Sequence, residues 1–121
     1  MCSHFAAELV NKMVMYRKPL AAISLCTDIA VITSIANDMG YEYVFSRQIQ
    51  AIGQKGDCLV VLTTSGKSKN IMYAIKTARG LGIEVIQFPT KDELDMDTPH
   101  TQQKHLELIH ELSTQIEQAF I

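Results

Sequence analysis

The segment that could bind an anion lies between Asp57 and Asn70, with the sequence DCLVVLTTSGKSKN. Cys58 to Leu62 is a short apolar run that predicts a strand buried on both faces. Hydroxyl side chains follow it at once, on Thr63, Thr64, Ser65 and Ser68, together with one glycine and one lysine. Hydroxyl donors and free N–H groups at the start of a helix favour negative charge, so we expect a small phosphorylated ligand.

The same residues also fit a simpler structure, a capped strand-to-helix turn that binds nothing. Ser68 is then only the N-cap of a helix from about Lys69 to Leu81. The segment has neither G-x-x-x-x-G-K-[ST] nor G-x-G-x-x-G, so a nucleotide is the weaker expectation.

A second group of residues could carry acid–base or metal chemistry. His4 and Glu8 are four apart in a predicted helix from Ser3 to Met15, and their side chains would converge above it as metal ligands or as an acid–base pair. An exposed helical pair without a function has the same spacing.

Near the other end of the chain, a predicted helix from His100 carries Gln102, His105 and His110. Its two histidines at 105 and 110 are five residues apart and do not share one face. The spacing favours His105 as a core residue, because it lies in the apolar stripe.

The elements that position these residues alternate between strand and helix. Further strands are predicted at Leu20 to Leu25 and Ile83 to Phe88. Further helices are predicted at Ile29 to Met39, closed by Gly40, and at Tyr41 to Ile52, and Pro89 to Pro99 is predicted to be a surface loop. This order predicts a three-layer α/β/α fold with a parallel sheet, in one domain over residues 1–121.

Composition excludes several classes of protein. The net charge of −2 provides no field for nucleic acid, and no apolar run approaches the length of a membrane span. With no signal-peptide pattern, we expect a cytoplasmic protein. The three cysteines are widely spaced, so we expect buried reduced thiols.

Four segments in order carry a resemblance: HFAAEL at 4–9, CTDIAVITSIANDMGYEYVFSRQIQAIGQKGD at 26–57, TTSGKSKNI at 63–71 and TPHTQQKHLELIH at 98–110. Together they resemble the sugar isomerase (SIS) domain family, and within it the bacterial sedoheptulose 7-phosphate isomerases. The resemblance implies conversion of sedoheptulose 7-phosphate to D-glycero-D-manno-heptose 7-phosphate, in heptose biosynthesis for lipopolysaccharide. It also implies a homotetramer with active sites at subunit boundaries.

The resemblance further assigns roles by position. Thr63, Thr64, Ser65 and Ser68 would hold the sugar phosphate, and Asp38 and Gln102 would lie near the substrate. Glu8 would be the catalytic base and His110 its acid–base partner. His4, Glu8, Gln102 and His110 would be the ligands of a zinc ion, as in some family members.

The sequence also departs from the family pattern. Family members have a helical segment, a strand and a GNGGS-type loop ahead of the HFAAEL helix, and a further helix and strand between the positions of Phe88 and Thr98. We therefore expect a fold truncated at its N-terminus, with an open sheet edge and an exposed apolar face. Three explanations stay open: the sequence is incomplete, the chain relies on neighbouring subunits, or it is a degenerate member without turnover. Two other functions stay open: a non-catalytic SIS module of the kind that binds the replication initiator DnaA, and a phosphosugar sensor. The DnaA-binding relatives lack the equivalents of Glu8 and His110, which favours the enzyme.

Overall fold

The computed structural model describes all residues from 1 to 121. Six α-helices and two β-strands make up the fold. The helices are α1 (Cys2–Val10), α2 (Ile29–Asp38), α3 (Ser46–Ile52), α4 (Lys69–Gly80), α5 (Lys91–Leu94) and α6 (Thr98–Ala119), and the strands are β1 (Cys58–Val61) and β2 (Glu84–Gln87). None of these helices has the length and apolar character needed to cross a membrane.

The sheet consists of β1 and β2 in parallel, with Cys58 opposite Glu84 and Val61 opposite Gln87. Parallel neighbours need a crossover, and α4 supplies it. The apolar side chains of β1 alternate between two cores, because successive residues of a strand point to opposite faces. Leu59 packs with Ile49, Ala74 and Ala78 of α3 and α4, whereas Val60 packs with the core beneath α1 and α6. The predicted three-layer α/β/α fold is therefore confirmed.

The predicted strand from Leu20 to Leu25 is wrong, and the sheet has two strands rather than three. The segment has strand-like composition but no neighbouring strand with which to form a ladder. Its only backbone-to-backbone hydrogen bond outside helices and strands joins the Leu20 N–H to the Leu9 carbonyl. A strand requires a partner as well as propensity, and sequence reports only the second.

Several helix bounds also differ from the predictions. The first helix ends at Val10 rather than Met15, and the predicted helix from Tyr41 to Ile52 divides into a 3-10 turn, Tyr41–Tyr43, followed by α3. The predicted loop from Pro89 to Pro99 contains the single turn α5, which begins with a capping box in which Thr90 and Glu93 bond reciprocally.

The three cysteines are free, as predicted, but they are not fully buried. Cys26 and Cys58 are exposed and Cys2 is half-buried. Partial burial still raises the pKa of the Cys2 and Cys58 thiols, so neither is activated as a thiolate.

A buried ion pair fastens the segment after α1 to the last helix. The Glu117 carboxylate accepts hydrogen bonds from the N–H groups of Met13, Val14 and Met15 at 2.9 to 3.1 Å, and it lies 3.5 Å from Nε of Arg17. Burial would raise the pKa of Glu117, but these N–H groups, joined by the guanidinium, lower it below its ordinary value. The charged carboxylate therefore stabilises the folded chain.

This pKa shift predicts a pH dependence of stability. Because the folded pKa is depressed, the contribution of Glu117 is present above the unfolded value of about 4.5 and is lost as pH falls through the folded pKa. Glu117→Gln should therefore lower the free energy of unfolding at pH 7, and the difference from the unmodified protein should become smaller as the pH falls toward about 3. Urea titrations at several pH values measure this difference. The matched control is Glu107→Gln, an exposed carboxylate on the same helix. An equal loss at every pH would contradict the assigned role of the charge.

Candidate functional site

His4, Glu8 and His110 form one cluster although they come from opposite ends of the chain. His4 Nε2 lies 2.8 Å from Glu8 Oε1 and 3.4 Å from His110 Nε2. The two imidazole rings are tilted by 60° with their centroids 5.2 Å apart. The His4 side chain is 43% exposed and the Glu8 side chain 18%, so the cluster is open to a ligand on one side.

The packing of α1 on α6 creates this cluster. The four-residue spacing places His4 and Glu8 on one face of α1. Phe5, one residue after His4, packs with Phe88 and with Ile109, the residue before His110. Because Phe5 and Ile109 are almost fully buried, the polar residues beside them are fixed at the rim of an apolar contact.

Arg17 holds the C-terminal turn of α1, where Glu8 lies. Its guanidinium donates to the carbonyls of Glu8 at 2.7 Å and Leu9 at 2.9 Å. The last carbonyls of a helix have no partner within the helix, so a charged donor there both satisfies and orients them. The ion pair with Glu117 ties the same guanidinium to α6. Arg17 thus links the backbone of the Glu8 turn to the helix that carries His110.

The three side chains fit a zinc ion by donor chemistry and by spacing. Two imidazole nitrogens and a carboxylate oxygen lie within 4.8 Å of one another. Tetrahedral zinc with bonds of about 2.0–2.1 Å places its ligand atoms roughly 3.3 Å apart, close to the 3.4 Å between the two imidazole nitrogens. Three protein ligands would leave the fourth position for water or substrate, as in catalytic zinc sites.

Gln102 and Asp38 are not in this cluster. Gln102 is exposed on α6, and the eight residues from it to His110 correspond to about 12 Å of helix rise. Asp38 is exposed at the end of α2, where its carboxylate accepts from the Asn37 side chain at 3.2 Å. One chain alone therefore does not bring either residue to His4 and Glu8.

The hydroxyl loop joins β1 to α4 and is held by its own side chains. The Gly66 N–H donates to Thr63 Oγ1 and the Lys67 N–H to Ser65 Oγ, both at 3.2 Å. The Thr64 carbonyl accepts from the Lys91 N–H at 2.8 Å, which fixes the loop to the start of α5. Gly66 has φ +69°, and a Cβ there would lie 2.8 Å from the Thr90 methyl group. Only glycine fits this turn without strain.

Ser68 is the N-cap residue of α4, as predicted, but its side chain makes no capping hydrogen bond. The Ile71 N–H is satisfied by the side chain of Asn70. The Ser68 hydroxyl therefore does not cap α4, and the hydroxyl residues Thr63, Thr64, Ser65 and Ser68 all lie within the six residues before this helix start. Such a helix start attracts anions, because its N–H groups and dipole point to the same place.

The other histidines have structural roles. His105 is 1% exposed; its Nε2 donates to the Pro89 carbonyl at 2.6 Å and its ring meets Phe88 edge-on. The prediction of a core histidine is confirmed. His100 is exposed and pairs with Asp97, whose carboxylate caps α6; the hydrogen bonds from His100 lower the pKa of Asp97.

Sequence reasoning missed the residues that support the site. The Thr90 and Glu93 capping box has a recognisable T-x-x-E signature beside the hydroxyl loop. The sequence pattern at Glu117 is less specific. Glu117 continues the four-residue spacing of His105, Ile109 and Ser113, which places its carboxylate on the buried face of α6. No comparable pattern in the sequence pointed to Arg17.

Comparisons with known proteins identify the family of this chain. A model of the SIS domain matches residues 1–89. The phosphoheptose isomerase of Campylobacter concisus is 40% identical, over 97% of this chain and 69% of its own length, and that of Helicobacter pylori strain Shi470 is 42% identical, over 97% and 68%. Among solved structures, a phosphoheptose isomerase from Francisella tularensis superposes with a TM-score of 0.85 at 32% identity, covering 96% of this chain and 69% of that one. Phosphoheptose isomerase GmhA from Neisseria gonorrhoeae superposes with a TM-score of 0.83 at 34% identity, covering 97% of this chain and 69% of that one. By sequence and by structure, this chain belongs to the SIS domain family and, within it, to the phosphoheptose isomerases.

Proposed function

We propose that the chain is a sugar-phosphate isomerase that converts sedoheptulose 7-phosphate to D-glycero-D-manno-heptose 7-phosphate, in the cytoplasm, for the heptose of lipopolysaccharide. The observation that carries the proposal is the cluster of His4, Glu8 and His110. It gathers one carboxylate and two imidazoles at a partly open site, in a chain whose relatives are named phosphoheptose isomerases.

These residue types suit the chemistry. The Glu8 carboxylate removes a proton from C1 of the ketose, and the electron pair forms a C1–C2 double bond while the C2 oxygen takes a proton from the His110 imidazolium. The resulting enediol then gives its O1 proton back to the imidazole as the C1 carbonyl forms. Glu8 returns its proton to C2. Atoms and charges balance, and both groups end in their starting states.

His4 would hold the base in place. Its Nε2 lies between the Glu8 carboxylate and His110 Nε2, so one imidazole contacts both proposed catalytic groups. If zinc is bound by His4, Glu8 and His110, the His110 nitrogen on the metal has no proton to donate, and the ion would supply in its place a Lewis acid that polarises the sugar carbonyl. The hydroxyl loop would bind the phosphate through Thr63, Thr64, Ser65 and Ser68, with the Lys67 ammonium nearby.

We also propose that the chain acts as a homotetramer and that Gln102 and Asp38 reach the substrate through this assembly. Support comes from their position outside the cluster within one chain. Large apolar side chains are also exposed, among them Val14, Tyr16 and Phe120. Such residues are typical of surfaces that another subunit covers.

The assignment of the base predicts a loss of turnover in Glu8→Gln. Removing the carboxylate should lower kcat by roughly 10²- to 10⁴-fold, because general base catalysis contributes about that much. The assay follows the aldose product from sedoheptulose 7-phosphate, and Glu107→Gln, an exposed carboxylate of α6, serves as the matched control. Unchanged turnover in Glu8→Gln would contradict the assignment. A wild-type chain that binds the sugar phosphate without isomerising it would instead establish the sensor.

The hydroxyl loop predicts a specific effect of Gly66→Ala. The positive φ and the 2.8 Å approach to Thr90 must distort the loop, at about 1–2 kcal/mol for a left-handed residue. We expect KM for sedoheptulose 7-phosphate to rise roughly tenfold, which corresponds to a similar energy. Gly80→Ala is the control, since a Cβ there meets nothing within 4 Å. Equal KM values for both variants would argue against phosphate binding by this loop.

Metal binding and assembly can be tested together. Titration calorimetry with ZnCl₂ should show one site per chain, lost in His110→Ala and kept in His100→Ala. If Gln102 of a second chain is a ligand, Gln102→Ala should weaken zinc binding and sedimentation velocity should show a tetramer. Unchanged zinc affinity in His110→Ala would refute the metal site. A monomer at every concentration would refute the assembly.

A further inference from the structure

Cys2 and Cys26 form a pair of thiols although they belong to different parts of the fold. Cys2 lies in the first turn of α1, and Cys26 lies in the turn that precedes α2. Their side chains line the same cavity, and the two thiols share a hydrogen bond. The fold therefore brings two sulfur nucleophiles together outside the proposed isomerase site.

The path of the backbone explains this contact. The chain turns back after α1, because the Leu20 N–H donates to the Leu9 carbonyl at 3.2 Å, at the C-terminal end of the helix. The helix rise from Cys2 to Leu9 is roughly 10 Å. The segment from Leu20 to Ser24 has no helical turns, so it can span about 13 Å. That length is enough to bring the turn that contains Cys26 back beside the first turn of α1.

Cys26 is held in a defined turn. Its N–H donates to the Ser24 hydroxyl at 3.3 Å, and the Thr27 hydroxyl donates to the Ser24 carbonyl at 3.1 Å. The Gln48 side chain of α3 donates to the Leu25 carbonyl at 2.9 Å. A disulfide forms only within a narrow range of backbone separation and orientation. Two cysteines on backbone that is already fixed are therefore suited to such a bond.

Exposure gives the two thiols different roles. Cys26 is exposed and can meet a reagent in solution, whereas Cys2 is half-buried beside it. In reversible thiol switches an accessible cysteine reacts first, and a neighbouring cysteine then resolves the adduct. Cys58 is also exposed, but the residue opposite it in the sheet is Glu84, not a thiol. Cys26 is thus the expected attacking thiol and Cys2 the resolving one.

We propose that Cys2 and Cys26 are a redox-sensitive site that forms an intramolecular disulfide, with a low-molecular-weight disulfide such as oxidised glutathione as the oxidant. The Cys26 thiolate attacks one glutathione sulfur and breaks the glutathione disulfide, and the first glutathione leaves as a thiol with the proton that Cys26 lost. The Cys2 thiolate then attacks Sγ of Cys26 and releases the second glutathione in the same way. The two cysteines lose two electrons and two protons, and oxidised glutathione gains both.

The disulfide would fasten the first turn of α1 to the segment before α2. It would close a loop from Cys2 to Cys26 that contains the whole of α1. Because a closed loop restricts the unfolded chain more than the folded one, oxidation should stabilise the fold. The bond would also lie two residues from His4, on the same helix turn. The redox state of the pair would thus act on the helix that carries part of the proposed isomerase site.

The first experiment maps the bond in the full chain. Reduced protein is incubated with excess oxidised glutathione at mildly alkaline pH, where thiolates are populated. Free thiols are then blocked with iodoacetamide, and tryptic peptides are analysed by mass spectrometry without reduction. Trypsin cuts after lysine and arginine and so places the three cysteines in separate peptides, 1–12, 18–47 and 56–67. We expect the first two peptides to be linked and Cys58 to be alkylated.

Thermal unfolding is the second readout. Oxidation should raise Tm by roughly 5–15 °C, the shift expected when a disulfide closes a loop of this length in a domain of this size. Cys58→Ser is the matched control, and it should keep both the bond and the shift. In Cys2→Ser and in Cys26→Ser, oxidised glutathione should leave Tm unchanged.

Several results would overturn the proposal. They are a bond that includes Cys58, a bond between two chains, glutathione adducts without an internal bond, and a Tm that the bond does not raise. Loss of the bond in Cys58→Ser would also overturn it. Neither readout measures turnover, so failure of this proposal is distinguishable from failure of the isomerase assignment.

Discussion

The contact between α1 and α6 is the interaction on which the rest of this structure depends. It joins residues about a hundred positions apart through the buried side chains of Phe5, Phe88 and Ile109. A cluster of this size stabilises by several kcal/mol, since each fully buried apolar side chain contributes about 1.5–3 kcal/mol. Without it, His4 and Glu8 would remain an ordinary helical pair on an exposed surface.

Charge then refines what apolar packing brings together. Arg17 bonds to the carbonyls of Glu8 and Leu9 and pairs with Glu117, so one guanidinium connects the end of α1 to α6. Glu117 accepts three N–H groups from the segment that follows α1, which orders a stretch without regular structure. The proposed acid–base groups are therefore positioned by buried residues, while their own side chains stay accessible to a ligand.

Sequence reasoning predicted the layers, the strands β1 and β2 and the pairing of His4 with Glu8, because each depends on local spacing. The core position of His105 followed from the apolar stripe in the same way. Sequence reasoning failed at Leu20 to Leu25, where the composition is that of a strand but no neighbouring strand exists. It also failed at Glu117, whose role depends on the fold of residues 13 to 17. The proximity of His110 to His4 came from the family resemblance, since no local pattern connects residues so far apart.

In the folded chain, α1 and α6 hold His4 beside His110. The most direct measurement is a ¹³C-edited NOESY spectrum of protein labelled on its histidine rings. We expect cross-peaks between the ring protons of His4 and His110, because the centroids of the two rings are 5.2 Å apart. Ring protons of His4 that show contacts only within α1 would contradict this arrangement, because the two helices would then not form a common site.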